Sequence, residues 1–350
     1  MKSKNLSEKI LKSVRTKGFK YIELPSVLET NHIVQRSGEN FRKFIFSFTD
    51  HNGNELCLRP DLTIVSCLRY LENNFKGKEK IFYSGQAYRK SQNKKDSIIR
   101  NQIGFEIIGS KNEKNDDKEI INTSLKSLKN LKYMSGKLTL GNVEIFNLLI
   151  SKLDIPKRWK LRLYRHFWRE DYFNDLLKRL GTNSDVDPTI VEIDKKRYLQ
   201  MLKEDKSLII AGRSIEDILS RFDKKIKDPR RPSKGKNVSK IIKEFLKIKC
   251  PINKAAKELN KFFKKYQINL VVDQKYFPIS NNKVSKLNVI FSTSFGRQLE
   301  YYTGMVFKID IKSNNKFKNI INGGRYDQLI SDLGSAKQIS AVGAAFNLNY

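Results

Sequence analysis

The chain opens with apolar residues at helical spacing, Leu6, Ile10, Leu11 and Val14, and Gly18 follows as a stop, so the pattern predicts an amphipathic first helix. Alternation then replaces the helical period. Tyr21-Ile22-Glu23-Leu24-Pro25 reads as an extended segment closed by proline, and residues 44–48, joined through His51-Asn52-Gly53-Asn54 to residues 55–58, read as a hairpin. Residues 80–84 and 104–108 are two further predicted strands, flanking a lysine- and asparagine-rich stretch at 90–97 that suits an exposed loop. Helical spacing returns at Ile121, Leu125, Leu128 and Leu131, and again over 143–150.

From 154 to 250 the pattern changes character. Trp159, Leu163, Phe167 and Trp168, then Ile215, Ile218 and Leu219, then Val238, Ile241, Ile242 and Phe245 give short helical patterns without alternation, which predicts an all-helical insertion. The basic stretch at 228–236 inside it lacks the leading glycine of a phosphate-cradling GxxxxGK loop and reads as solvated. Beyond it, Leu259, Phe262 and Phe263 mark another helix, and residues 269–272, 287–291 and 305–311 read as strands. The sheet therefore resumes after the helices. The expected organisation is a discontinuous core, 1–153 and 251–350, carrying a helical insertion at 154–250.

At 350 residues the chain can bury roughly three quarters of the surface its unfolded form exposes. Apolar residues make up 39 % and charged residues 30 %, and Gly and Pro are scarce, so neither disorder nor a fibrous repeat is indicated. The apolar runs fall far short of the roughly 18 residues of a membrane span, and the N-terminus carries no signal-peptide pattern, so cytoplasmic residence is expected. Cys57, Cys67 and Cys250 have neither zinc-site spacing nor an even count and read as buried apolar side chains; His32, His51 and His166 are scattered. No metal or cofactor is expected. The net charge of +32 raises the question of a polyanionic partner, but lysine outnumbers arginine 50 to 19 and is spread along the whole length, so a solvated lysine surface is the preferred reading and nucleic acid is not an expected partner.

Four stretches carry candidate chemistry: Leu58-Arg59-Pro60-Asp61-Leu62-Thr63; Tyr88-Arg89 leading to Asn101-Gln102-Ile103-Gly104-Phe105-Glu106-Ile107-Ile108-Gly109; Gly296-Arg297-Gln298-Leu299-Glu300-Tyr301-Tyr302-Thr303-Gly304; and Gly323-Gly324-Arg325-Tyr326-Asp327 with Ala341-Val342-Gly343. Together, in this order around a helical insertion, they resemble the class II aminoacyl-tRNA synthetase core in its histidyl branch, over nearly the whole chain. The resemblance implies an α+β fold, an antiparallel sheet flanked by helices. It implies a free-histidine site in which Asp61, Thr63 and Gln102 hold the amino group, Glu106 and Tyr302 face the imidazole and Arg297 faces the carboxylate, with Tyr301 a further residue of the same site. Such a set meets every polar point of histidine with a charge-assisted or hydrogen-bonded contact.

The departures from the family pattern concern ATP. Arg89 remains as a vestige of the ATP site, but Ser91 stands where the acidic residue two places on belongs, the loop at 91–99 is rewritten, and Tyr350 occupies the place of the motif 3 arginine. No anticodon-binding domain follows in this sequence. These features resemble the branch of the family that serves as the regulatory subunit of short-form ATP phosphoribosyltransferase, as do the segment at 141–146, Arg165-His166-Phe167, and the stretch at 211–214. That resemblance implies a non-catalytic subunit, joined to a short catalytic subunit in a hetero-oligomer, that activates it and senses L-histidine. It also implies self-association as a dimer through the first helix and the strand at 21–24. An adenylating synthetase and a tRNA-binding regulator are the alternatives.

Overall fold

The computed structural model describes residues 3–37, 39–73, 77–90, 97–129, 135–182, 188–205, 207–210, 213–226, 232–296, 301–313 and 316–348. Its chain divides into two compact units: residues 1–146, 247–265 and 270–350, and residues 147–246 with 266–269.

The first unit is built on a ten-stranded sheet. Its strands are β1 (Lys20–Tyr21), β5 (Glu79–Tyr88), β6 (Ile99–Ile108), β7 (Gly136–Asn142), β10 (Lys249–Pro251), β11 (Lys283–Val284), β12 (Leu287–Ser292), β13 (Met305–Ser313), β14 (Lys316–Arg325) and β15 (Ala341–Asn347). In space they run β1-β5-β6-β15-β14-β13-β7-β12-β10, with β11 paired to β12. The six strands from β5 to β7 are antiparallel to their neighbours, as expected, but β1 lies parallel to β5 and β12 parallel to β7. The sheet is therefore mixed. Parallel pairing needs a long crossover, and here the crossovers are residues 22–78 and 143–286, separations that local alternation does not report. A separate three-stranded sheet pairs β2 (Val27–Glu29) and β3 (Ser47–Thr49) with β4 (Glu55–Leu58), which confirms the hairpin but starts its first strand later, because a 3₁₀ turn occupies Glu39–Phe44.

Helices cover the sheet: α1 (Ser3–Arg15), α2 (Thr30–Ser37), α3 (Leu62–Glu72), α4 (Glu113–Lys129), α11 (Ala255–Lys265) and the short α12 (Leu329–Asp332), while α5 (Val143–Lys152) leads from the first unit into the second. Helix α1 ends as its sequence indicates, with Gly18 at a φ of 77° that side chains disfavour. Strand β6 shows why the two faces of the sheet differ. Ile103, Phe105 and Ile107 point to one face and are buried, with the Phe105 ring edge-on to Phe19 at 5.6 Å. Arg100, Gln102 and Glu106 alternate onto the other face, where they line a cleft.

Residues 269–272 are not a strand. Asn260 of α11 takes both backbone groups of Val272, accepting from its N–H at 2.9 Å and donating to its carbonyl at 2.9 Å, so a side chain satisfies what a ladder would. Cys57 and Cys67 are buried and Cys250 is half-buried; all are free thiols.

The second unit holds α6 (Lys157–His166), α7 (Glu170–Leu180), α8 (Pro188–Glu204), α9 (Ile215–Ile226) and α10 (Pro232–Phe245). It is not wholly helical, since β8 (Ile209–Ile210) and β9 (Arg213–Ser214) form a small antiparallel hairpin where two β-branched residues interrupt the helical pattern. The stretch at 228–236 is helical from Pro232 onward, proline suiting the first position of a helix, and its residues 228–231 lie outside the described set, as do most of 90–97.

Candidate functional site

The cleft has a volume of about 640 Å³ and a floor made of small residues. Gly343 and Ala345 on β15 pair with Glu106 and Gly104 on β6, and Asn347 pairs with Gln102. Without side chains at these glycines, the sheet surface is low enough for polar groups from neighbouring elements to lie across it.

Glu106 is the centre of the arrangement and only 1 % exposed. Its Oε1 accepts hydrogen bonds from the Tyr83 hydroxyl at 2.5 Å and from Thr63 Oγ1 at 3.1 Å, and its Oε2 accepts one from the Tyr326 hydroxyl at 2.5 Å. Burial pushes its carboxyl up from an ordinary 4.5 to about 7; the three hydroxyl donors pull the other way, and Asp61 nearby adds a smaller upward push. Tyr83 and Tyr326 are themselves held well above the ordinary tyrosine range by burial and by the Glu106 charge. A carboxylate has roughly four lone-pair sites. Three donors leave it able to accept one more N–H from a ligand.

Thr63 and Asp61 come from the start of α3. Asp61 is its N-cap: the carboxylate accepts from the Ile64 backbone N–H at 3.0 Å, the commonest way to satisfy a first-turn donor. Its second oxygen accepts from Arg89 at 3.2 Å, and Arg89 also donates to the Pro60 carbonyl at 2.7 Å. The expected amino-group ligand and the expected ATP-site vestige are thus joined. Tyr301 and Tyr302 form one wall, their rings 5.0 Å apart, and the Tyr301 ring lies edge-on to Tyr326 at 5.8 Å. Burial raises both phenols. They are therefore neutral at physiological pH.

The structure accordingly brings Asp61, Thr63, Gln102, Glu106, Tyr301, Tyr302 and Arg89 to one cleft. Arg297 lies outside the described residues, as do Ser91 and Tyr350; Phe295 and Gly296, just before Arg297, line the cleft. Sequence reasoning missed Tyr83, Tyr326 and Arg100. Tyr83 sat in a predicted strand and Tyr326 in a quoted motif, but nothing local showed that their hydroxyls meet at Glu106. Arg59 and Arg325 of the same motifs turn away to structural duty. Arg59 donates to the carbonyls of Gln86, Leu24 and Pro25, and Arg325 donates to Asp117, Asp327, Ser340 and the Glu113 carbonyl.

Removing one hydroxyl tests the arrangement. Loss of a hydrogen bond to a charged group costs about 1.5–3 kcal/mol of the ionised form, so in Tyr326→Phe the Glu106 carboxyl should titrate at higher pH than in the parent protein. Carbon-detected NMR of the glutamate carboxyls would read the midpoint; an unshifted value would show that the bond contributes nothing.

A sheet of this order, with its polar cleft on one face and helices on the other, is the class II aminoacyl-tRNA synthetase fold. It is shared with a solved histidyl-tRNA synthetase from Nostoc sp. PCC 7120, at a TM-score of 0.63 and 14 % identity over 99 % of this chain and 69 % of that one. A structure from Bacillus halodurans, described as an ATP phosphoribosyltransferase regulatory subunit/histidyl-tRNA synthetase, matches at 0.58 and 20 % identity over 99 % and 77 %. The chain belongs to the histidyl-tRNA synthetase family, whose model matches residues 1–350. Among its curated relatives are proteins of Brucella anthropi, 26 % identical over 341 residues, and of Sinorhizobium fredii, 26 % identical over 342; each alignment covers 92 % of this chain and 89 % of the relative. Both are named ATP phosphoribosyltransferase regulatory subunits.

Proposed function

We propose that this chain is a regulatory subunit of ATP phosphoribosyltransferase that binds free L-histidine in the cleft around Glu106 and performs no chemistry on it. The observation that carries the reading is the set of polar groups lining one cleft: Asp61, Thr63 and Gln102, which suit an ammonium, and Glu106 with Tyr301 and Tyr302, which suits a ring N–H. The names of the relatives support the regulatory role. The sequence departures Ser91 and Tyr350 support the lack of adenylation, since neither a hydroxymethyl nor a phenol supplies the charge that the family places there.

A site that binds but does not react can act only through a difference in affinity between two states of a complex. Histidine must then favour the less active arrangement, and by linkage that arrangement binds histidine more tightly. The test is reconstitution with a short catalytic phosphoribosyltransferase. Addition of this chain should raise phosphoribosyl transfer, histidine should lower the raised activity, and the chain alone should give no histidine-dependent ATP–pyrophosphate exchange. Exchange activity would instead place the chain with the enzymes of its family. Equal activity of the catalytic subunit with and without it would refute the regulatory role.

A further inference from the structure

Arg325 is buried, and the five N–H donors of its guanidinium are all used. Nε and Nη2 donate to Asp117 Oδ1 at 3.0 and 2.7 Å, Nη2 donates also to the Glu113 carbonyl at 2.8 Å, and Nη1 donates to Asp327 Oδ1 and to Ser340 Oγ, each at 2.8 Å. Burial pulls the guanidinium down, but the charges of Asp117 and Asp327 outweigh it and keep the group protonated. One side chain thus ties helix α4 to the end of β14 and to the residue before β15.

What it ties down is the cleft. Successive residues at the end of β14 serve opposite faces of the sheet: Arg325 reaches α4, while Tyr326 donates to Glu106. The Tyr326 N–H donates to the Ala341 carbonyl at 2.8 Å, and the Ala341 N–H donates to Asp327 Oδ1 at 2.8 Å. The oxygen that holds the guanidinium therefore also holds the strand that carries Gly343. The segment with Tyr301 and Tyr302 is fixed from the same residues. The Thr303 N–H donates to the Arg325 carbonyl at 2.9 Å, and Thr303 Oγ1 accepts from the Asp327 N–H at 3.1 Å. The Tyr302 ring lies so close to Gly324 that a Cβ there would meet it at 2.8 Å. Neither Arg325 nor Asp117 lines the cleft.

Asp117 is the anchor on α4. Burial raises its carboxyl from an ordinary 3.8 to about 6 against the pull of the Arg325 charge and hydrogen bonds, and Asp327 and Glu113 add to the rise. Glu144 of α5 sits in the field of the same groups, Glu113, Asp327 and Arg325, with Lys275 opposing. The neighbouring carboxylates of α4 have their own cations, Asp116 with Lys78 at 2.7 Å and Glu119 with Lys80 at 2.5 Å. We infer that Asp117 is a positioning residue of the cleft: through Arg325 it holds the Tyr326 hydroxyl and the Tyr301–Tyr302 segment in place, and so couples helix α4 to histidine affinity. This coupling presupposes that the cleft holds histidine. It is reciprocal, so histidine in the cleft tightens the hold of Arg325 on α4.

Asp117→Asn keeps an acceptor for Arg325 and removes the charge, the neutral state that the parent itself takes below about pH 6, so the variant folds as the parent does there. Asp116→Asn makes the same change to a more deeply buried carboxylate of the same helix. L-histidine affinity is measured by calorimetry on the full-length proteins at pH 5 and 7.5, as the ratio to the parent at the same pH, which removes the titration of histidine itself. At pH 7.5 Asp117→Asn should bind about fivefold more weakly, the difference between a charged and a neutral acceptor. At pH 5, where Asp117 of the parent is protonated, the ratio should approach one. Asp116→Asn should bind as the parent does at both. The Glu106 carboxyl gives a second readout that needs no histidine: loss of the Asp117 charge acting through space alone would lower its midpoint, whereas a loosened Tyr326 hydroxyl raises it. Carbon-detected NMR should find it higher in Asp117→Asn. Parent-like affinity, a ratio that does not change with pH, an equal loss in Asp116→Asn, or a Glu106 midpoint that falls or stays would each overturn the coupling. Histidine binding that is absent from the parent, or untouched by Glu106→Gln, would instead sink the histidine reading of the cleft and the coupling with it.

Discussion

Replacing Glu106 by glutamine should stabilise the ligand-free protein at pH 8 while crippling its response to histidine. The sign follows from linkage. The folded carboxyl titrates near 7 against an ordinary 4.5, so the unfolded chain releases its proton first. Folding stability is therefore undiminished by this group below about pH 4.5, falls as pH rises through that window, and levels off above 7, at a cost of about 3 kcal/mol. Glutamine is nearly isosteric and carries no such cost. The melting temperatures of Glu106→Gln and parent should lie closest near pH 4 and separate by several degrees at pH 8, the variant being the higher. Histidine binding should move oppositely, because an amide opposed to a ring N–H replaces a charge-assisted contact worth about 2–5 kcal/mol, a loss of at least about thirtyfold in affinity. Calorimetry and thermal melts on the same samples measure both. A pH-independent difference in melting temperature would refute the buried titration, and unchanged affinity would refute the placement of the ligand.

Gly343→Ala should disable the site without touching a polar group. Gly343 pairs with Glu106 across β15 and β6, and a methyl there would coincide with Glu106 Oε2, the oxygen that Tyr326 holds. Either the carboxylate swings away from its hydroxyl donors or the strand shifts. Overpacking of this kind costs about 1–3 kcal/mol of stability, and histidine affinity should fall at least as far as in Glu106→Gln, about thirtyfold or more. Combining Gly343→Ala with Glu106→Ala removes the closest collision and leaves the methyl only the Phe105 carbonyl, at 2.9 Å, to displace. The double variant should regain stability relative to the sum of the single changes, a non-additivity expected only of residues in contact, while binding stays lost. Strict additivity in chemical denaturation would show that the two residues do not collide.

These two residues also mark the boundary of what a linear reading reaches. Glu106 could be named from the sequence because its stretch resembles a known site and because β6 alternates Arg100, Gln102 and Glu106 against Ile103, Phe105 and Ile107. Alternation of that kind is a local property, set by the two-residue period of a strand. The same is true of the first helix and of the hairpin at β3 and β4, whereas α3, capped by Asp61, has no counterpart among the predicted helices.

Gly343 and Tyr326 had no such local mark as site residues. Tyr326 reaches Glu106 across 220 positions of sequence, and Gly343 matters only because β15 inserts between β6 and β14. The bond between Asp61 and Arg89, two residues expected to serve different ligands, likewise exists only once α3 and the end of β5 are folded together. The parallel flanks of the sheet belong to the same class of fact, since their crossovers are too long for any local pattern to register. The sequence by itself determined which segments alternate, which coil and which carry charge, because those follow from the periods of strand and helix. Tertiary structure alone decided that three hydroxyls would converge on one buried carboxylate and push against its desolvation, because burial and proximity belong to the packed chain and to no segment of it.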